Sequence, residues 1–325
     1  MTGGIATLGF NFPRNADGVS EILKRAALDA IDPELRIVAP RRSVWGHVSD
    51  IWRSRELLVR LTFKELTVRY KKSTLGFLWS TLNPLVMLGV YSVAFGILGL
   101  SFEDFPIWLI TGLLIWNLFS ASLVSGTASI TSNSYLVGKV KFPREILPLS
   151  AVGAALIHFV LQAAMVALVL LVAGHRIDLS FVWLLPFALL TLILICSGFA
   201  IVLSALNVYA RDTAHLLDLT MLALFWLTPI SYPFMTIASK LVSKGLPAWL
   251  PWTNPITPVL ATFQRAIYGK ASIRAIGKAD QQLLPDHSSL WYGRNLLGAF
   301  AMATVFLYFA IRWFDRVEGN FAEVV

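Results

Sequence analysis

The chain has 325 residues, a formal net charge of +8, 56% hydrophobic residues and only 14% charged ones. Soluble domains carry about 25% charged residues, so this composition leaves too little polar surface for a water-coated globule, and it excludes a disordered chain as well. A single cysteine, Cys196, excludes a disulfide-stapled module, and the class that remains is an all-α polytopic membrane protein.

Residues 1–48 read as a polar, mixed-charge cytoplasmic extension. Residues 1–20 have no apolar core of the length a cleavable signal needs, because Pro13, Arg14 and Asp17 interrupt it. Residues 49–72 (SDIWRSRELLVRLTFKELTVRYKK) combine apolar Ile51, Trp52, Leu57, Leu58, Leu61, Leu66 and Val68 with a basic set. The pattern predicts an amphipathic helix at the membrane surface, with Asp50 as its N-cap and Trp52 as an interfacial anchor. Arg55, Glu56, Arg60, Lys64, Arg69 and Tyr70 are its candidate docking residues.

A bilayer core about 30 Å thick requires about 20 apolar residues in a helix. Six runs qualify, at about 75–100, 105–129, 147–173, 180–206, 215–237 and 290–314. The stretch 246–269 is apolar too, but Pro247, Pro251, Pro255 and Pro258 interrupt it. It predicts re-entrant or interfacial helices within a region of about 238–289, not a seventh span. Pro84 in the first span and Pro229 and Pro233 in the fifth are expected to break their helices.

Thirteen of the 27 Lys and Arg residues precede residue 73. Glu103 and Asp104 follow the first span, Lys139, Lys141 and Arg144 the second, Arg211 the fourth, and Arg312 and Arg316 the sixth. With cations inside, the alternation closes on six spans with residues before the first and after the last in the cytoplasm. Lys240, Lys244, Arg265, Lys270, Arg274 and Lys278 run against this in the long outward segment, where the rule is weak. The basic residues edge apolar runs and form no continuous stripe, so nucleic acid is not an expected partner.

Gly138-Lys139, Gly269-Lys270 and Gly277-Lys278 all lack the glycine spacing and following Ser or Thr of a phosphate-cradling loop. The chain is therefore expected to hold no cofactor of its own, and energy for transport enters through a separate subunit. The loops KVKFPREI (139–146) and NVYARDTAHLLDL (207–219) are suited to receive it, through Lys139, Lys141, Arg144, Glu145, Arg211 and Asp212; the alternative is that their cations only set topology. Tyr91, Phe95, Trp116, Phe119, Trp226 and Tyr232 either line a sugar-conducting channel or pack against neighbouring helices. His158 and Gln162 share a helix face and read as structural polar contacts. The other histidines are scattered, and no metal site or catalytic residue is expected.

The run RELLVRLTFKELTVRYKKSTLGFLWSTLNPL (55–85) resembles the opening signature of ABC-2 type permeases, in the branch that exports O-antigen, teichoic acid or galactan chains. KVKFPREILPLS (139–150), NVYARDTAHLLDL (207–219), TPISYPF (228–234) and TNPITPV (253–259) are similar to further family motifs in the right order. The resemblance implies a plasma-membrane subunit that works as a homodimer, meeting along spans one and five, with two copies of an ATPase that binds ATP and magnesium. It implies coupling helices in the two inward loops and a lipid-linked polysaccharide as substrate. Two other readings remain open: a permease for a small lipid or drug, and a polytopic lipid-handling enzyme, for which Glu103 and Asp104 are the one weak acidic candidate.

Overall fold

Apolar runs with no polar face fold as helices buried on several sides, and helices make up most of the described residues. The structure is a computed structural model describing residues 44–71, 73, 78–99, 102–140, 142–273 and 281–321. The expected extension therefore lies outside the described residues up to residue 43. Where the sequence predicts one helix over 49–72, the chain forms α1 (Val44–Arg53) and α2 (Arg55–Tyr70), separated at Ser54. Asp50 consequently lies inside α1 and is not an N-cap. The break falls on a serine, a side chain that competes with the helix for backbone partners.

Five of the six expected runs become helices with ends close to those expected. They are α3 (Leu78–Ile97), α4 (Phe105–Ala128), α6 (Ile146–Val172), α8 (Leu185–Tyr209) and α12 (Ser289–Val317). Short elements join them: a 3₁₀ turn Thr131–Asn133, α5 (Ser134–Lys139) and α7 (Leu179–Val182), whose Ser180 N–H is capped by Asp178. Prolines fall in the first turns of α4 and α8, where a missing N–H costs nothing. Pro84 lies inside α3, which continues through it.

The fifth run departs from expectation. Its helix α9 (Asp212–Leu227) stops ten residues short of 237, and α10 (Phe234–Ser243) begins only after Pro229 and Pro233. A 3₁₀ turn Leu250–Thr253 and α11 (Ile256–Tyr268) follow, then a two-residue antiparallel pair, Ser272–Ile273 with Gln281–Gln282. At thirteen residues α11 is about 20 Å long, too short to cross a bilayer. Among the described residues four helices are long and apolar enough to do so: α4, α6, α8 and α12. In α3 the apolar stretch is Pro84–Ile97, shorter than a full crossing.

The core sits around α4, whose apolar run is 72% buried, against 28% for α12 at the periphery. Close approach of α4 and α8 depends on Gly126: a Cβ there would stand 2.6 Å from the Ala200 Cβ. Small residues at such crossings let two backbones touch, the packing available to helices that gain nothing from leaving lipid. The proline break after α9 is folded against α4 in the same way, Gly112 leaving room for Ile230. Its freed Ile230 carbonyl accepts from the Trp108 indole N–H at 3.1 Å and the Gln264 amide at 3.4 Å. Irregular backbone is thus satisfied by protein, as a non-aqueous setting requires.

Candidate functional site

One end of the bundle collects α2, the segment between α4 and α6, the α8–α9 turn and the end of α12 around a small apolar core that includes Leu61, Ile130, Ile146, Val208, Phe314 and Phe321. From α2, Leu61, Thr62 and Leu66 are buried. The helix approaches α6 where Gly153 leaves space for Thr62, whose hydroxyl would lie 2.9 Å from an added Cβ. The Lys64 ammonium donates to the Asn133 side chain, which itself donates to the Ser129 carbonyl at 2.8 Å. Arg60 pairs with Glu56 at 2.7 Å on the exposed face, and Arg55 donates to the Trp52 carbonyl at 3.3 Å. The side chains of Arg69 and Tyr70 lie outside the described residues.

Five of the six residues expected in the inward loops divide into two groups. Arg211, at the N-cap of α9, and Asp212, in its first turn, are exposed, and the carboxylate complements the positive end of that helix. Lys139 is exposed as well, its ammonium 4.1 Å from the centre of the Tyr135 ring. Arg144 and Glu145 are instead turned inward. Arg144 donates to the Glu318 carbonyl and lies 5.8 Å from the Phe321 ring, and Glu145 is 1% exposed. Lys141 lies outside the described residues. Tyr209 and Phe321 were not legible as site residues. Tyr209 sits inside a quoted motif, but nothing in its spacing signals that its hydroxyl reaches Val317, and Phe321 follows the last apolar run without any pattern.

Five of the six candidate channel aromatics, Tyr91, Phe95, Trp116, Phe119 and Trp226, join one cluster of mostly edge-on and tilted rings between α3, α4 and α9. Tyr91 lies 5.8 Å from Phe225, which meets Trp116 at 5.5 Å, and Trp116 meets Phe119 at 5.8 Å. Phe225, the centre of the cluster, is missing from the six expected rings. Trp116 and Phe119 are covered within this chain, whereas Trp226 is half exposed at the edge. Phe95 stacks on Phe105 at 5.2 Å, and the Tyr232 hydroxyl donates to the Trp226 carbonyl. Gln162 accepts from Asn117 of α4 at 3.4 Å, a contact between helices of the kind its spacing suggested. His158, with Glu65 and Leu66, lines a cavity of about 10 Å³, no larger than a water.

The opposite end is tied by ion pairs. Arg265 donates to Asp178 at 2.9 Å and to the Gly269 carbonyl at 2.6 Å, its guanidinium 4.4 Å from the Phe181 ring. Lys270 pairs with Glu103 at 2.9 Å and Asp104 at 3.2 Å. Two of the cations that ran against the charge rule are therefore balanced by acids of neighbouring loops. Arg274 and Lys278 lie outside the described residues. Burial pushes the Asp178 carboxyl up, but hydrogen bonds from Ser180 and the Arg265 charge outweigh it, so Asp178 titrates below the usual aspartate value. The Glu103 hydrogen bond holds Lys270 above the usual lysine value, against the opposing effect of burial.

A depressed carboxyl contributes stability that is complete above its ordinary value and disappears as pH falls through the lowered one. Asp178→Asn is expected to cost about 1–3 kcal/mol at pH 7, because it leaves Arg265 without its charged acceptor. Thermal unfolding of the detergent-solubilised protein checks this. The difference between parent and variant should shrink as pH falls below about 4. A difference independent of pH assigns the loss to something other than the Asp178 charge.

The ABC-2 type transporter family matches residues 56–268 of the chain. The O-antigen export system permease protein RfbA of Klebsiella pneumoniae is 32% identical over 210 residues, which cover 64% of this chain and 79% of that protein. RfbA of Myxococcus xanthus is 30% identical over 279 residues, 86% of this chain and 98% of that protein. The polysialic acid transport protein KpsM of Escherichia coli is 23% identical over 261 residues, 77% and 90% of the two chains.

Proposed function

Because the chain belongs to the ABC-2 type transporter family, we propose that it is the membrane permease subunit of an ATP-driven exporter that moves a lipid-linked polysaccharide out of the cytoplasm. It is a multi-pass transport subunit and not an enzyme. In this reading ATP and magnesium belong to a separate ATPase subunit, two copies per complex, and this sequence itself carries no phosphate-cradling loop. The observation that carries the reading is the end of the bundle where both inward loops meet. There Arg211 and Asp212 stand exposed at the start of α9, free to enter a cleft of a soluble partner.

The reading includes six passes through the plasma membrane, with α3 and α9 joining the four long helices, and with α10 and α11 re-entrant. Contacts support this. Tyr268 at the end of α11 donates to the Glu103 carbonyl ahead of α4, so the chain between α9 and α12 leaves and returns at one end. Residues before the first pass and after the last face the cytoplasm, and Arg265 and Lys270 oppose that orientation only from a segment too long for the charge rule to decide. Two copies meet along α3 and α9. The half-exposed Trp226 opens the aromatic cluster toward that side, so rings of two chains together wall a conduit on which sugar faces slide. The basic face of α2 lies at the inner headgroups, where it meets membrane lipids and the ATPase.

Affinity purification of the tagged chain from membranes tests the core of this reading. An ATPase subunit is expected in equimolar amount, with ATP hydrolysis recovered only in its presence. Recovery of the chain alone under conditions that keep membrane complexes intact counts against it.

A further inference from the structure

A helix ends with carbonyls that have no partner within it, and these are satisfied by water, by local turns or by other side chains. At the end of α12 one donor comes from each inward loop, beside the Phe321 N–H that closes a local turn on the Glu318 carbonyl. The Tyr209 hydroxyl, from the α8–α9 turn, donates to the Val317 carbonyl at 2.7 Å. The Arg144 guanidinium, from the loop ahead of α6, donates to the very next carbonyl, that of Glu318. The chain then closes a 3₁₀ turn, Glu318–Asn320, and drives Phe321 back into the bundle, where it is 0% exposed. Its ring meets Phe314 at 5.4 Å, Tyr209 at 5.9 Å and the Arg144 guanidinium at 5.8 Å. One buried ring and two consecutive carbonyls thus hold a side chain from each loop.

We infer that the end of α12 is a tie that makes the two inward loops move together, with Phe321 as its positioning residue. The inference rests on the reading of those loops as the coupling surface. A push on the α8–α9 turn strips Val317 of its donor unless the end of α12 follows, and that movement carries Arg144 with it. Both loops then respond to one event in the ATPase. Without the tie, a loop gives way alone and hydrolysis proceeds without moving cargo.

The test uses the full complex of permease and ATPase. ATP hydrolysis is measured on the purified complex, and export as polysaccharide at the cell surface, labelled with a hydrazide after periodate oxidation. Phe321→Ala is expected to leave hydrolysis within about twofold while exported glycan per unit of hydrolysis falls at least about fivefold, the low end of ordinary coupling between sites. Phe321→Leu, which keeps apolar volume, restores most of the ratio. Tyr209→Phe, which keeps the ring and removes only the hydroxyl, lowers it by itself and adds little on top of Phe321→Ala, as two members of one linkage do. An unchanged ratio in Phe321→Ala overturns the tie. So does a proportional fall of hydrolysis and export, which marks a folding residue only. If Phe321→Ala fails to assemble, Tyr209→Phe decides, and a parental ratio there overturns it. Absence of any bound ATPase defeats the underlying reading instead, whereas uncoupling by Arg211→Ala with a normal ratio in both tie variants defeats the tie alone.

Discussion

Gly126→Val is expected to abolish assembly of the transporter. An added Cβ would lie 2.6 Å from the Ala200 Cβ and 3.2 Å from its Cα, a methyl and a backbone carbon of α8 that no side-chain rotation can move aside. Overpacking of this kind costs about 3 kcal/mol or more when two helices must separate to admit the new atoms. The loss falls on the most buried helix pair of the bundle. The measurement is the yield of monodisperse protein in detergent, and Gly126→Ala should show an intermediate loss. Ala200→Gly placed in the Gly126→Ala background should recover part of it, because the nearest clash is then gone. Full yield of Gly126→Val would show that α4 and α8 are not held at this distance.

Arg211→Ala and Asp212→Ala are expected to reduce export at least about tenfold while leaving insertion and yield at parental levels. Both side chains are exposed, and the only local support either gives is the Asp212 charge at the start of α9, worth about 0.3–1 kcal/mol, so a folding explanation for their loss is weak. Their expected effect comes only from contact with a partner. The polypeptide position matters as well: Asp212 opens α9, so a load applied there is delivered along a helix that ends beside the aromatic cluster, at Phe225 and Trp226. Surface glycan and ATP hydrolysis measured together separate the outcomes. Export at parental levels in both variants removes these residues from the coupling surface. Arg144→Ala is a poorer probe, because that guanidinium is committed to the Glu318 carbonyl.

The long helices were legible because hydrophobic length is a one-dimensional property: α6 begins one residue before its expected start and ends one before its expected end. Their interruptions were only partly legible. Pro229 and Pro233 announced a break, yet α9 stops at Leu227, and the partners that make the gap tolerable, Trp108 and Gln264, lie 122 and 34 residues from Ile230. The segment before the first span reads from sequence as one helix, whereas the structure divides it at Ser54, a mild signal with no proline or glycine to mark the break. At the two loops expected to face inward, charge alone could not separate the exposed Arg211 from the engaged Arg144. That distinction depends on where α12 ends, and sequence spacing does not relate residue 144 to residue 318. The aromatic residues were visible as a set, but which rings are covered depends on how α3, α4 and α9 cross.

The early end of α9 bears on the lipid as well as on the protein. Sixteen residues of helix extend about 24 Å, while an ordinary bilayer offers about 30 Å of hydrocarbon. Lipids beside a short hydrophobic helix respond by thinning, at a modest cost per ångström. In the proposed six-pass arrangement α9 would therefore thin the membrane beside it wherever its outward-facing Leu216, Leu219 and Leu222 are not covered by the second copy.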